Sequence, residues 1–292
     1  MAEADPQRRM GIALVIAAAV AWSTAPWFVR LLALDSWTIV FWRGLFGAGF
    51  TVAILVLTQG RTGLRDLIGI GRTGWLVASL STLGMVSFIP ALQLTSVSNV
   101  AIIIATEPFV AAAFAWAWLR EAVGWRTLLA SVVALCGVVI IGGNSRAGSD
   151  FLGIGLACFM TLAIAAMTVT VRRHRDTPMV AAAALSNLLG SLVSIPFAHD
   201  IAAVTTTDLA ILAVFGFFQV GLGLSLFMLG SRLLPSGQAT LIATLETPLM
   251  PFWIWLAFQE IPAARTLAGG ALVMGAVIAA IIGDKSAPKQ SG

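Results

Sequence analysis

Apolar segments long enough to cross a lipid bilayer recur along the whole sequence. A membrane-spanning helix needs about 20 mostly apolar residues, with a range of roughly 17–25. Ten segments meet this requirement: 11–30, 37–57, 74–94, 97–118, 126–142, 153–172, 179–198, 208–230, 237–257 and 265–282. The longest connection, 58–73, is too short for a soluble domain. The sequence therefore predicts an all-α membrane protein with ten transmembrane helices.

The composition agrees with this class. Only 10% of the residues are charged and 59% are apolar, whereas soluble domains contain about 25% charged residues. The net charge of +4 is spread over short loops, so it does not indicate nucleic-acid binding. Cys136 and Cys158 fall in apolar segments without a disulfide or metal spacing. The run from Gly11 to Val29 is longer than a signal-peptide core, and we expect it to be retained as the first span.

The basic residues predict the orientation, because cytoplasmic loops are enriched in Lys and Arg. An N-terminus in the cytoplasm places thirteen of them on that side: Arg8, Arg9, Arg61, Arg65, Arg72, Arg120, Arg126, Arg172, Arg173, Arg175, Arg232, Lys285 and Lys289. Only Arg30, Arg146 and Arg265 fall on the opposite side, and Arg43 lies within a span. We therefore expect both termini in the cytoplasm.

The second half of the chain repeats the first. Aligning the chain with itself places "IIIATEPFVAAAFAWAWLREAVGWRTL" over "LIATLETPLMPFWIWLAFQEIPAARTL". This alignment pairs Glu107 with Glu246, and we call it the Glu107–Glu246 alignment. It also pairs Trp116 with Trp255, Glu121 with Glu260 and Arg126 with Arg265, and this spacing of charged residues is hard to obtain by chance. A second and weaker alignment, the Gly11–Gly153 alignment, pairs Gly11 with Gly153 and Arg30 with Arg172.

Each repeat contains five spans, so the two halves enter the membrane in opposite directions. We expect a first five-helix unit over 1–147 and a second, inverted unit over 148–292. Inverted repeats are typical of secondary transporters, whose binding site lies between the halves near the membrane midplane. The sequence therefore predicts a central cavity and a transport function.

Enzymatic chemistry is poorly represented. Lys285 and Lys289 are the only lysines, and no Gly-rich phosphate loop ends in Lys-Ser/Thr. His174 and His199 fall at loop edges on opposite sides of the membrane, which disfavours a metal site or a catalytic triad. We expect no cofactor and no enzymatic activity; an intramembrane acid–base pair of Glu107 and Glu246 is the remaining enzymatic alternative.

Glu107 and Glu246 are candidate binding residues because ionisable groups inside spans are rare and usually face an interior cavity. Glu107 lies about ten residues into its span, or roughly 15 Å deep, and Glu246 occupies the matching depth. One interpretation is proton coupling or binding of a cationic group, since a carboxyl group in low dielectric is suited to both.

The other interpretation is structural, because a proline follows each glutamate. Pro108 leaves the carbonyl of Ile104 without its usual helical donor, and Pro248 does the same to Thr244. A protonated glutamate would satisfy such a carbonyl. Pro26, Pro90, Pro108 and Pro248 are accordingly predicted hinge or kink positions.

Further polar and aromatic residues fall inside or at the ends of spans. Arg43 either meets a substrate carboxylate, snorkels to the interface or pairs with Asp35. Trp22, Ser23 and Pro26 form the mid-span cluster "WSTAPW", interpreted as a cavity wall or as lipid-facing filler.

Amides complete the predicted cavity lining, because an amide can hydrogen-bond an amino-acid backbone while rings stack on its side chain. Gln219 is the strongest candidate, since "GFFQVGLG" places it beside Phe218 among glycines. The predicted lining is Trp22, Ser23, Pro26, Gln93, Asn99, Glu107, Phe218, Gln219, Gln238, Thr244 and Glu246.

These segments resemble the EamA-type branch of the drug/metabolite transporter superfamily. The resemblance rests on "SVSNVAIIIATEPF…LREAVGWRTLLASVVALCGVVIIG", on its counterpart "LPSGQATLIATLETPLMPFWIWLAFQEIPAARTLAGG", and on "AWSTAPWFVR" and "FWRGLFGA". The second half departs from the first, with Thr-Pro after its glutamate and Leu185 where the first half has Arg43.

Within that branch the chain is most similar to the bacterial aromatic amino-acid exporters. The resemblance implies a multi-pass protein of the bacterial inner membrane, surrounded by lipid and organised as a monomer, that exports aromatic amino acids by alternating access. The alternatives are an exporter of hydrophobic or cationic drugs and a membrane scaffold without transport. No nucleic-acid partner is expected.

Overall fold

The computed structural model describes residues 6–120, 129, 132–133, 136, 148–174, 177–199, 201–231, 233, 242–262, 264, 267–272 and 274–275. Its helices are α1 (Pro6–Ser23), α2 (Ala25–Leu31), α3 (Ser36–Gln59), α4 (Arg61–Ile68), α5 (Gly71–Leu94), α6 (Val97–Ile104), α7 (Glu107–Leu119), α8 (Gly148–Arg173), α9 (Met179–Ser194), α10 (Thr206–Phe215), α11 (Gly223–Ser231) and α12 (Glu246–Phe258). A 3-10 helix (Ile195–Phe197) follows α9, and a π-helix (Gly216–Leu222) joins α10 to α11.

Within the described residues, six helical segments are long and apolar enough to cross a membrane: Pro6–Leu31, Ser36–Gln59, Gly71–Leu94, Val97–Trp118, Asp150–Val171 and Thr206–Phe227. They correspond to the predicted first four, sixth and eighth spans. The seventh is the shorter apolar helix α9, and α12 covers most of the ninth. The fifth predicted span lies mostly outside the described residues, and the tenth is described only at 267–272 and 274–275, so the total of ten remains a prediction.

Two spans expected to be single helices are each divided into two. The first is interrupted at Thr24, between α1 and α2, and the fourth at residues 105 and 106, between α6 and α7. Pro26 and Pro108 lie in the first turns of the second halves. Proline has no N–H to donate, so it is favoured in the first turn of a helix and removes a hydrogen bond in a helix interior. The sequence predicted kinks at these prolines, and regular helical hydrogen bonding is interrupted just before each of them, while the backbone at Thr24, Ala105 and Thr106 stays in the right-handed helical region.

The connection 58–73 contains the short helix α4. Pro90, a predicted hinge or kink position, lies inside α5, which continues as one helix to Leu94.

The repeat is visible in the geometry of α7 and α12. Both helices have 13 residues, and both begin at a glutamate and end at positions matched by the Glu107–Glu246 alignment. Each is followed by a left-handed residue, Arg120 with φ 54° and Gln259 with φ 57°. These are the only non-glycine residues with positive φ in the described part of the chain, and the same alignment pairs them. Because residues other than glycine rarely adopt this conformation, the match supports a structural repeat.

Helix packing follows the same symmetry. α5 (third span) packs along α8 (sixth span), and α1 (first span) packs along α11 (eighth span). The repeat relates the first span to the sixth and the third to the eighth, so these two contacts are equivalent. α3 and α9, the second and seventh spans, pack against each other, as do α6 and α12. The main core, which includes Phe28, Ile103, Phe215 and Met250, draws side chains from both halves.

Small residues bring α3 and α9 into close contact. A Cβ on Gly44 would lie 2.5 Å from Ser191 Oγ and 2.7 Å from the carbonyl oxygen of Asn187. Ser191 Oγ in turn donates to the carbonyl of Phe41 at 2.8 Å. Close approach through glycine and serine is typical of helices packed within a membrane.

Candidate functional site

Two glutamates begin helices at the interior breaks of the predicted fourth and ninth spans. Glu107 is the first residue of α7, and Glu246 is the first residue of α12. Both side chains are half-buried. A carboxylate is favoured at a helix N-terminus by the helix dipole. We call these two residues the acidic pair.

The members of the acidic pair differ in their surroundings. Thr168 of α8 donates a hydrogen bond of 3.2 Å from Oγ1 to Oε1 of Glu107. In the other half, the residue equivalent to Thr168 by the Gly11–Gly153 alignment is Pro26. Proline has no hydroxyl group, so it cannot donate the corresponding hydrogen bond to Glu246. Glu246 accepts no hydrogen bond from the described residues, and the neighbouring Thr247 hydroxyl, on a side chain 4% exposed, has no partner among them. The first half therefore holds its carboxyl group more tightly than the second.

The proline-based structural interpretation of the glutamates receives a partial correction. The carbonyl of Thr244 is not left free, because it accepts a 3.0 Å hydrogen bond from the N–H of Thr247. The partner of Glu107 is a hydroxyl group and not the carbonyl of Ile104. Backbone groups at the interruption are instead satisfied by hydrogen bonds between residues three apart, such as the bond from Thr106 N–H to the carbonyl of Ile103 at 3.0 Å.

Trp22, Ser23 and Pro26 surround the break between α1 and α2, as predicted from their place in the span. Ser23 is fully buried and accepts a 2.8 Å hydrogen bond from the indole N–H of Trp253 on α12. Trp253 lies two helical turns after Glu246, on the same side of α12. The ring of Trp22 contacts Phe227 of α11 at 5.1 Å between centroids. Ser23 and Pro26 are therefore buried within the protein and Trp22 is half-buried, whereas Trp27 of the same segment is exposed.

Arg43 contacts the π-helix and not Asp35. Its Nη1 donates to Oε1 of Gln219, and its guanidinium carbon lies 5.2 Å from the ring centroid of Phe215. Arg43 is 3% exposed and Gln219 is 7% exposed, so neither snorkelling nor the Asp35 pair describes this arginine. Phe215 also stacks on Phe28, with centroids 4.9 Å apart. Arg43, Gln219 and Phe215 are called the Arg43 cluster below.

Asp35 caps α3 at the loop before it. Its carboxylate accepts from the N–H groups of Trp37 and Thr38, both at 3.0 Å, and from the Thr38 hydroxyl at 2.5 Å. Partial burial acts to raise the pKa of Asp35, but the hydrogen bonds from Thr38 and Trp37 outweigh it and hold the pKa below its ordinary value. The carboxylate is therefore fully engaged within its own helix start.

Gln93 and Asn99, two predicted lining residues, are engaged near the turn between α5 and α6. Gln93 is exposed and donates to the carbonyl of Leu34 at 3.0 Å, while its Oε1 accepts from Ser36. Asn99 donates to Thr95 Oγ1 at 3.0 Å, and that hydroxyl donates to Asp150. These bonds fasten helix ends together and do not join the acidic pair.

Three of the remaining predicted residues lie in the described part of the chain, and one does not. Phe218 is half-buried and packs on the main core beside Gln219. Thr244 is buried immediately before α12, and Pro248 lies in the first turn of that helix. Gln238 lies outside the described residues.

Sequence reasoning missed Thr168, Trp253 and Thr247. The repeat contained a signal for Thr168, since the Gly11–Gly153 alignment places it on Pro26, which was selected. Nothing in the sequence separates Trp253 from the other aromatic residues, and only its hydrogen bond to Ser23 distinguishes it.

A surface pocket lies away from the acidic pair, between the start of α6 and the end of α12. It is lined by Ser96, Val97, Ser98, Pro251, Ile254, Glu260, Ile261 and Pro262. Glu260 also forms a 3.0 Å ion pair with Arg30, at the end of α2, with side chains 49% and 42% exposed. Exposed pairs of this kind contribute about 0–1 kcal/mol, so this pocket is weaker as a candidate than the interior groups.

Comparison with known proteins agrees with the repeat. The EamA-like transporter family matches residues 9–143 and again residues 151–282. None of the curated proteins matches the chain. A solved structure, described only as the crystal structure of a protein, is similar with a TM-score of 0.71 and 17% identity, over 96% of this chain and 100% of that chain. At this identity the likeness shows the fold alone.

Proposed function

Because the chain belongs to the EamA-like transporter family, we propose that it is a secondary transporter that exports aromatic amino acids. The protein lies in the bacterial inner membrane with both termini in the cytoplasm. Export runs from the cytoplasm to the periplasm by alternating access. The excess of Lys and Arg on the predicted cytoplasmic side supports this orientation.

The acidic pair is the observation that carries the proposal. Discontinuous helices at matching positions of two inverted halves are typical of transporter binding sites, because the break exposes polar groups at the membrane midplane. Here each break begins a helix with a glutamate. A carboxyl group at each of these positions can accept hydrogen bonds from an ammonium group.

The aromatic residues around the breaks support the substrate class. Trp22 and Trp253 flank Ser23 at the α1–α2 break, and Phe218 lies beside Gln219 in the π-helix. Binding sites for small molecules combine an apolar lining with a few placed polar groups, and aromatic rings pair well with one another. An aromatic amino acid presents a ring and a zwitterionic head to such a lining.

Transport by purified protein tests the proposal. The chain is reconstituted into proteoliposomes, and uptake of radiolabelled phenylalanine, threonine and a lipophilic cation is measured in parallel. We expect phenylalanine to enter faster than in empty vesicles and faster than threonine. The double variant Glu107→Gln, Glu246→Gln is the matched inactive control, since it keeps the shape of both side chains. Uptake of all three compounds at the rate of empty vesicles would overturn the transporter proposal.

A second candidate, export of hydrophobic or cationic drugs, is favoured by the glutamate that begins each of α7 and α12. Two acidic residues suit a cation without a carboxylate of its own. Uptake of the lipophilic cation, without uptake of phenylalanine, would select this candidate. A scaffold without transport predicts uptake of neither compound.

A further inference from the structure

Arg43 is a buried cation without an acidic partner. The single ion pair among the described residues joins Arg30 and Glu260, and Asp35, the nearest acid in sequence, is engaged by Trp37 and Thr38. Arg43 itself is 3% exposed. An unpaired buried charge is costly, and proteins normally compensate it with a counter-charge or a full set of hydrogen bonds.

The protein supplies Arg43 with only partial compensation. Gln219 offers one neutral acceptor to Nη1, and the face of Phe215 offers a cation–π contact at 5.2 Å. The buried Nε has no hydrogen-bond partner in the described part of the chain. An unsatisfied buried donor on a charged group is rarer than an unsatisfied neutral one, because its desolvation costs more.

The free edge of the guanidinium group has the geometry that a carboxylate requires. Nη1 is occupied by Gln219, whereas Nε and Nη2 form the opposite edge of the planar group, and neither has an acceptor among the described residues. Two parallel N–H donors on one edge bind the two oxygens of a carboxylate in a bidentate pair. A neutral acceptor or a single water fills only half of such an edge.

The cluster lies where α3 meets the π-helix. A Cβ on Gly216 would lie 2.8 Å from the carbonyl oxygen of Arg43 and 2.9 Å from the N–H nitrogen of Gly47. This contact between backbones fixes Gln219 relative to Arg43. π-helical turns occur frequently at functional sites. Here the π-helix places the side-chain amide of Gln219 beside Arg43.

We propose that Arg43 and Gln219 form a carboxylate subsite, which binds the carboxylate of the transported amino acid through Nε and Nη2 of the guanidinium group. Gln219 keeps Nη1 occupied and so orients the free edge. The subsite rests on the proposed transport function for its substrate, and it makes that function specific: substrates carry a carboxylate.

Binding to the purified full chain in detergent tests the subsite. The probes are L-phenylalanine, 3-phenylpropanoate, which has a carboxylate and no amine, and 2-phenylethylamine, which has an amine and no carboxylate. We expect Arg43→Gln to weaken binding of the two carboxylate probes at least about tenfold, since hydrogen bonds to charged groups are lost. Binding of 2-phenylethylamine is expected to change less than about threefold. Arg30→Gln is the matched control, since that arginine is exposed at the end of α2.

Gln219→Glu gives an independent test that does not remove the buried charge. The new carboxylate pairs with Arg43, so we expect a higher Tm than that of the wild type together with weaker binding of both carboxylate probes. A folding defect in Arg43→Gln would leave this second variant to decide. A purely structural Arg43 predicts the higher Tm without any change in probe affinity.

The outcomes separate the subsite from the transport proposal. Carboxylate binding within about twofold of wild type in Gln219→Glu overturns the subsite, whether or not phenylalanine is transported. Wild-type protein that binds 2-phenylethylamine but neither carboxylate probe also overturns it. Arg43-dependent binding of 3-phenylpropanoate without transport of phenylalanine in proteoliposomes supports the subsite and overturns the proposed function instead.

Discussion

Gly223 lies directly against Trp22, so that a Cβ on the glycine would stand 2.7 Å from the indole Nε1. The repeat produces the same contact in the other half. Gly84 is the counterpart of Gly223, and Ile164 is the counterpart of Trp22. A Cβ on Gly84 would stand 3.0 Å from the Ile164 Cγ1. A glycine on the third or eighth span thus receives a large side chain from the inverted partner helix, and both helix pairs depend on it.

Gly223→Ala is expected to destabilise the protein and to reduce transport. An indole held against the α11 backbone has little room to move, and forcing an extra carbon into a packed contact costs about 1–3 kcal/mol. Gly84→Ala should have a smaller effect, since Ile164 leaves more space. The measurement is the Tm of each purified variant together with its phenylalanine uptake.

Gly155→Ala is the control for this pair. It lies in α8, where no atom comes within 4 Å of the added Cβ. Alanine is favoured over glycine in a helix by about 1 kcal/mol, so this variant should be as stable as the wild type or more stable. A Gly223→Ala protein as stable as Gly155→Ala would contradict the packing described above.

The repeat and its glutamates were predictable because charged residues are few in this chain. In an apolar background the matched spacing of Glu107 and Glu246 stands out, and these two residues begin α7 and α12. Pro26 and Pro108 predicted a disturbance of the helix, and α2 and α7 begin next to them. The tertiary packing that stabilises these short helices could not be read from the local sequence.

The partner of Arg43 was not predictable from local sequence. Gln219 lies 176 residues away, and Asp35 was the nearer candidate along the chain. Asp35 is not available to Arg43 because an aspartate directly before a helix accepts hydrogen bonds from the first N–H groups of that helix. This capping interaction competes with an ion pair to Arg43. Gln93 and Asn99 were selected as amides inside an apolar chain, but both satisfy backbone and hydroxyl groups at helix ends.

Thr168→Val tests the hydrogen bond to Glu107. Valine keeps the shape of threonine and removes the donor, at a net cost of about 1 kcal/mol. We expect a several-fold change in the apparent affinity for phenylalanine, with a small change in Tm. Thr161→Val is the matched control in the same helix, because Thr161 donates only to the carbonyl of Ala157. Equal transport by both variants would show that Thr168 does not act on the site.

Glu107→Gln tests whether the carboxyl group carries protons during transport. The substitution keeps size and hydrogen bonding but cannot titrate, so the dependence of phenylalanine uptake on pH should become flatter than in the wild type. Uptake rates are measured in proteoliposomes across a range of pH values. An unchanged pH profile at unchanged rate would assign Glu107 to helix packing alone.

Asp35 predicts a pH dependence of stability with a defined sign. Its pKa in the folded protein is lowered by the hydrogen bonds from Thr38 and Trp37. Its stabilising contribution is therefore complete above the unfolded value of about 3.9 and is lost as the pH falls through the folded pKa. Asp35→Asn keeps a capping side chain, so its Tm should fall below that of the wild type at pH 6 and approach it at pH 3. A constant difference would contradict the assignment.

Gly216→Ala is expected to move the π-helix away from α3. The two atoms nearest its Cβ belong to the backbone, the carbonyl oxygen of Arg43 and the nitrogen of Gly47, and a backbone cannot rotate aside as a side chain does. The displacement should lower the Tm and weaken binding of 3-phenylpropanoate, because Gln219 loses its position beside Arg43. Gly44→Ala, which would meet Asn187 and Ser191 of α9 instead, is the matched control. It should lower the Tm comparably, and its remaining folded protein should bind the probe more tightly than the Gly216→Ala protein does. Equal probe binding by the two variants would mean that the π-helix does not position Gln219 for the arginine.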